Sequence, residues 1–188
     1  MKPLALAALC LAALGACREE DRAAAPDPVP MTADALGHYC QMALAEHPGP
    51  KAQVHLRGVA APIYFAQVRD AIAFQRMPEQ SHAIAAIYVS DMAAAPSWDA
   101  PGAENWIAAT DAHFVVGSRV VGGMGATELV PFSEETAAAA FAAEKGGQVS
   151  DLDSIPDSAV LAPAEDGENG TDREFIDRLN RISKERQG

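Results

Sequence analysis

Cysteine, aromatic residues and positive charge are all scarce in this chain. Its 188 residues include three cysteines, 6% Phe, Trp and Tyr, and 14 Lys and Arg against 26 Asp and Glu, for a formal net charge of −12. That acidity excludes the basic footprint that nucleic-acid phosphates demand, and it gives an anionic membrane surface no electrostatic attraction. Hydrophobic residues reach 49%. Alanine dominates them and contributes little burial, so a core has to come from scattered Val, Ile, Leu and Phe. The length suits one globular domain or two very small ones, and a large enzyme cleft is not expected.

What is present begins at the N-terminus. Met1-Lys2, the apolar run Leu4 to Leu14 and the small residues after it form a secretory signal peptide, too short to span a bilayer. The run closes on Leu14-Gly15-Ala16-Cys17, the pattern of a bacterial lipobox, so residues 1–16 are expected to be removed and Cys17 to carry the lipid anchor; the alternative is an ordinary signal peptide cut nearby. Cys10 then leaves with the signal peptide, and Cys40 remains the only thiol. In an oxidising periplasm a lone thiol cannot close an internal disulfide, so it is buried, reactive or held by a metal. Arg18 after the lipidated cysteine lacks the acidic signal that retains some lipoproteins at the inner membrane. The protein is expected to face the periplasm from either membrane.

Residues 17–34, with their prolines, alanines and mixed charge, read as a flexible tether. Residues 35–160 read as the folded domain and 161–188 as an acidic linker followed by an amphipathic helix. That helix opens on the capping-box pattern Thr171-Asp172-Arg173-Glu174 and places Phe175, Ile176, Leu179 and Ile182 on one face. Inside the domain lies a weak repeat: Phe65 and Phe74 are spaced like Phe132 and Phe141, each pair bracketing a helix. β-like segments precede each helix, 53–56 with 60–64 and 113–116 with 127–130, and others follow at 83–89 and 148–149. The second helix is expected to start with Ser133 as N-cap and to end at Lys145-Gly146. The expected class is α+β, one compact domain of two similar ββαβ units at about 36–96 and 103–157.

The chemistry gathers in His38-Tyr39-Cys40-Gln41-Met42. In an extended segment, Cys40 and Met42 face one side and share it with His38. A thiolate and a thioether are soft donors, suited to Cu(I) and poorly matched to Mg²⁺ or Ca²⁺, and the spaced Cys and His clusters of zinc sites are missing. Packing is the alternative use of both residues. A second stretch, Val120-Val121-Gly122-Gly123-Met124-Gly125, offers either a turn in which Met124 plugs a gap or a thioether on a mobile loop that closes over a metal and opens for transfer.

Cys40-Gln41-Met42, His47-Pro48-Gly49-Pro50-Lys51-Ala52-Gln53-Val54, Phe114-Val115-Val116-Gly117-Ser118 and Gly123-Met124-Gly125-Ala126-Thr127-Glu128, in this order and downstream of a lipobox cysteine, resemble the NosL family over roughly residues 36–155. The resemblance implies Cu(I) binding, delivery of copper for the centres of nitrous oxide reductase with a membrane ABC-type complex, and a fold of two ββαβ halves similar to organomercurial lyase. It also implies Cys40, Met42 and Met124 as metal ligands, with His38 or His113 as candidate further donors. His47, in a Pro-Gly loop, is expected to shape that turn. The family pattern usually has Cys-Gly-Met, and Gln41 stands here in place of the glycine.

The leading expectation is a periplasm-facing lipoprotein that carries Cu(I) and passes it on. A scaffolding lipoprotein with a buried, metal-free Cys40 is the competing one. An organomercurial-lyase-like enzyme asks for more than one cysteine beside an acid, so no enzymatic activity is expected.

Overall fold

In the strand Ala52–Leu56 (β1), Ala52 and Val54 join the hydrophobic core while the intervening Gln53 and His55 point to the opposite face, and all four are buried. A polar outward face that is nevertheless buried needs a cover. In the computed structural model, which describes residues 25–78 and 83–162, that cover is the segment from Pro26 to Met31.

The main chain of Val29 exchanges two hydrogen bonds with the Gln53 side chain, at 2.9 and 3.0 Å. The hydroxyls of Tyr88 and Tyr64 donate to the carbonyls of Pro26 and Pro30, and Met31 donates to Ala103. This stretch was expected to be flexible; Gln53 and the tyrosines pin it instead, because a strap satisfies polar groups that the sheet would otherwise bury unpaired. The expected signal peptide, Cys17 and the segment expected to form a C-terminal amphipathic helix lie outside the described residues.

Two similar units follow. The first contains β1, β2 (Ile63–Phe65), α1 (Val68–Arg76), β3 (Ile84–Ser90) and β4 (Trp106–Ala108), in an antiparallel sheet of order β2-β1-β3-β4. The second contains β5 (His113–Val116), β6 (Val130–Phe132), α2 (Glu135–Lys145), β7 (Gln148–Asp151) and a short helix α3 (Asp157–Leu161), its sheet ordered β6-β5-β7. In each, the first strand is central and the helix joins its two neighbours. The repeated phenylalanines have one physical meaning: Phe65 and Phe74 lie 5.3 Å apart and 53° tilted, Phe132 and Phe141 5.3 Å and 51°. Each pair staples its helix to the strand before it.

Alternation along β5 divides its burial between two clusters. Phe114 enters the main core with Val54, Phe65, Ile72 and Val89, whereas Val115 packs with Val130, Phe132 and Ala138 beneath α2. One strand of the second unit thus completes the core of the first. Asp91, after β3, adds a polar tie by accepting the Ser133 amide at 3.0 Å and its hydroxyl at 2.6 Å. That bond takes Ser133 away from capping: the N-cap of α2 is Glu134, without a side-chain cap. The predicted 127–130 segment pairs later, as β6, because Gly122 to Thr127 turn back on themselves first. β4 was not anticipated; Trp106 begins it and packs near Tyr64. Among the described residues no helix is long and apolar enough to cross a membrane.

Candidate metal site

Residues 36 to 43 form a tight turn at the edge of the first sheet, not an extended strand. Leu36 bridges Ala43, and Gly37 bridges Tyr64 of β2. Gly37 donates to Met42 O at 3.0 Å, and Gln41 donates back to Gly37 O at 2.8 Å. Gln41 is the one described non-glycine residue with positive φ, at 55°. This is a backbone region that glycine adopts freely and that costs an L residue about 1 kcal/mol. Its side chain offsets part of that cost by donating to the carbonyls of His38 at 2.7 Å and Gly37 at 3.3 Å. A glutamine at this position therefore braces the turn that it strains.

The turn overturns the shared strand face expected for His38, Cys40 and Met42. His38 stacks on Tyr39, Phe65 and Phe74 at 5.2 to 5.5 Å. His113 sits on β5 with Nδ1 3.5 Å from Asp151. Among the described residues neither histidine is hydrogen-bonded to Cys40.

The histidine beside the thiol is His47. Its Nε2 lies 4.0 Å from Cys40 Sγ, and its Nδ1 lies 3.0 Å from the carbonyl oxygen of Gly123. A carbonyl only accepts, so Nδ1 carries the proton, and in the neutral ring Nε2 presents its lone pair toward the sulfur. One ring thus joins the Cys40 turn to the Met124 hairpin. His47 is held by the turn that follows it: the Lys51 ammonium donates to the carbonyls of Pro48 and Gly49, and Gly49, at φ 82°, lies against Trp98. Burial pushes Lys51 down to about 8. Sequence reasoning assigned His47 to shaping this loop and missed its second contact, because no periodicity links a histidine in a Pro-Gly turn to a thiol seven residues earlier.

The Met124 hairpin is closed by the Val121–Thr127 bridge and by Gly122 donating to Ala126 at 2.8 Å. A Cβ on Gly123 would come 2.7 Å from Cβ of His47 and 3.1 Å from the Pro48 carbonyl, so only glycine lets the hairpin approach the first unit this closely. Met42 and Met124 are 43% and 41% exposed, which sets them apart from thioethers that fill gaps. Cys40 is half-buried, unlike the sequestered thiol of a scaffold. Its sulfur tucks toward Gly37, where a Cβ would stand 2.5 Å away. Exposed Leu36, Tyr39 and Val121 lie on the same two loops. Met77 accepts the Tyr39 hydroxyl at 3.7 Å, and Met92 and Trp98 pack against the second cluster.

Among the described residues no three His, Cys, Asp or Glu side chains gather as a metal site. The two loops that His47 links carry one thiol and two thioethers beside its imidazole, side chains whose chemistry matches a soft, monovalent ion better than zinc or a hard cation. Fold and site together define a class: a small α+β domain of two ββαβ units that carries sulfur side chains on one loop of each.

The NosL family profile matches residues 28–160, and the chain belongs to that family. It is 53% identical over 180 residues to the copper-binding lipoprotein NosL of Achromobacter cycloclastes, covering 94% of this chain and 93% of the relative. It is 37% identical over 134 residues to the protein of that name from Stutzerimonas stutzeri, covering 71% and 67%. The crystal structure of the copper chaperone NosL from Shewanella denitrificans superposes with a TM-score of 0.66 at 31% identity, over 72% of this chain and 99% of that one.

Proposed function

We propose that this protein is a lipid-anchored copper chaperone that holds Cu(I) on Cys40, Met42 and Met124, with Nε2 of His47 the nitrogen nearest the thiolate, and that it acts in the assembly of nitrous oxide reductase. The observation that carries the reading is that His47 ties the thiol turn to the methionine hairpin, at 4.0 Å from Cys40 Sγ on one side and 3.0 Å from Gly123 O on the other. The names of the relatives, copper-binding lipoprotein and copper chaperone, support copper as the cargo. The sulfur-rich donor set supports the monovalent state.

Cargo that must be handed on is best held by few ligands and near the surface, since a recipient donor then has room to enter before the first ligand leaves. Two half-exposed thioethers on loops from different units suit that exchange. The apolar collar of Leu36, Tyr39 and Val121 is where the recipient docks: the reductase or its ABC-type membrane complex, reached on the periplasmic side from the lipid on Cys17. The relatives are named for binding and carrying copper, and the site is built for ligand exchange, so the protein works as a carrier without turning over a substrate.

Anaerobic titration of the reduced, detergent-solubilised full chain with Cu(I) tests the reading. One tightly held ion that is lost in Cys40→Ser and weakened in Met124→Leu is the expected result. Stoichiometry unchanged in Cys40→Ser, together with a thiol that native-state labelling cannot reach, would overturn it in favour of a scaffold.

A further inference from the structure

Helix α1 starts at Val68 with Gln67 in the N-cap position, yet Gln67 makes no side-chain cap. An N-cap residue ordinarily offers an oxygen to the second or third amide of its helix. Here the amide of Arg69 is taken at 3.1 Å by Oε1 of Glu128, a residue of the second unit that also accepts from its neighbour Leu129 at 2.9 Å. Released from capping, Gln67 turns its Oε1 to the amide of Met124 at 3.0 Å. The halves of the protein have exchanged partners: the second unit caps the helix of the first, and the cap residue of the first holds the methionine loop of the second.

Both side chains are fully buried, and the hairpin rests on them. A Cβ on Gly122 would overlap Oε2 of Glu128 and stand 2.7 Å from Oε1 of Gln67. Oε2 of Glu128 has no partner among the described residues. Burial pushes this carboxyl up to about 8, so it caps the helix largely as the neutral acid at pH 7. Gln67 is also fixed to the Cys40 side. The preceding residue, Ala66, packs with Leu44, Ala35 and Cys40, and its carbonyl lies 3.2 Å from where a Gly123 Cβ would be.

We propose that Gln67 is a positioning residue for the metal. Its hydrogen bond to the Met124 amide sets the thioether's place relative to Cys40, and the hairpin opens for metal release by breaking that bond. Opening also breaks the contact between His47 and Gly123, so Gln67 and His47 are two latches on one loop. His47 has the second task of facing the thiol; Gln67 touches no metal donor atom and acts only through the backbone. The inference rests on the proposed role of Met124 as a ligand.

The test loads the full chain in detergent with Cu(I) and follows transfer to a coloured Cu(I) chelator. Gln67→Leu removes the acceptor, and its release is expected to be about five- to tenfold faster than wild type, the size of one net buried hydrogen bond. A folded Gln67→Leu protein that releases at the wild-type rate overturns the proposal.

Should Gln67→Leu fail to fold, amide hydrogen exchange on the wild type decides. The Met124 amide is expected to exchange more slowly than that of Gly123, for which no acceptor is found among the described residues; equal rates overturn the latch. Met124→Leu is the control that separates the two ideas. Unchanged copper binding in Met124→Leu removes the ligand assignment itself, whereas impaired binding there with wild-type release in Gln67→Leu removes only the latch.

Discussion

Nδ1 of His47 donates to the carbonyl of Gly123 at 3.0 Å, and the same ring sets Nε2 4.0 Å from Sγ of Cys40. The two nitrogens have separable tasks, and substitutions that mimic one or the other separate them. His47→Asn places an amide donor near the Nδ1 position and should keep the hairpin seated while removing the nitrogen that faces the thiol. His47→Ala removes both. Chelator competition should show copper affinity lowered in both variants, and hydrogen exchange should show the Gly122–Ala126 amides loosened in His47→Ala alone. Equal loosening in the two would refute the division of labour.

Gln41 occupies φ 55° and bonds two carbonyls of its own turn. Gln41→Ala keeps the unfavourable backbone and loses both bonds, so urea denaturation should show a loss of about 1 kcal/mol. Gln41→Gly removes the strain along with the brace and should fall within about 0.5 kcal/mol of wild type. An alanine variant as stable as the glycine variant would show that the side chain does no bracing.

The glycines of the hairpin differ in what surrounds them. Gly122→Ala drives a methyl group into Glu128 and Gln67, and Gly123→Ala drives one into His47. Each should destabilise the protein by about 2 kcal/mol or more and weaken copper binding. Gly125, with φ 83° and open space around its Cα, carries only the backbone penalty, so Gly125→Ala should cost about 1 kcal/mol. Thermal melts of the three variants check the order, and a Gly122→Ala protein as stable as Gly125→Ala contradicts it.

Glu128 and Lys51 give stability an unusual dependence on pH. Burial raises the Glu128 carboxyl from 4.5 to about 8, so the folded state holds a proton that the unfolded chain releases. That contribution is complete below about pH 4.5 and is lost as pH rises to about 8. Burial lowers Lys51 from 10.5 to about 8, so its contribution is lost as pH falls through about 8 and is fully present above 10.5. Together they place a stability minimum near pH 8. The decline below it is on the order of a few kcal/mol, moderated by the attraction between the two charges. Glu128→Gln should flatten the limb between pH 5 and 8 in denaturation curves recorded across that range. An unchanged slope would contradict a buried, proton-holding carboxyl.

Local signals made much of the fold legible. β5 lies where the β-branched and aromatic run His113 to Val116 put it, and α2 ends at Lys145 with Gly146 as C-cap at φ 80°. The nine-residue phenylalanine spacing marked both units, because a helix that packs on its own preceding strand must return an aromatic at a set distance. Less visible were the features that depend on partners far along the chain. The strap at Pro26–Met31 needs Gln53 and two tyrosines to hold it. Ser133 gave up its cap to Asp91. β4 forms because Ser90 and its neighbours leave a sheet edge for Trp106 to Ala108 to pair with.

The sequence alone determined which chemistry was available: one cysteine beyond the N-terminal apolar run and its closing Cys17, a methionine two residues on, another among glycines, and a strong excess of acidic over basic groups. Donor type is a property of single residues and can be read from them. Tertiary structure decided which nitrogen stands beside the sulfur, why Gln41 can replace a glycine, and which buried side chain holds the Met124 loop. Gln41 is braced by carbonyls three and four residues back, whereas the other two depend on contacts across 7 to 76 residues of chain, set by how two sheets pack around a shared core. No local pattern of side chains encodes such a separation.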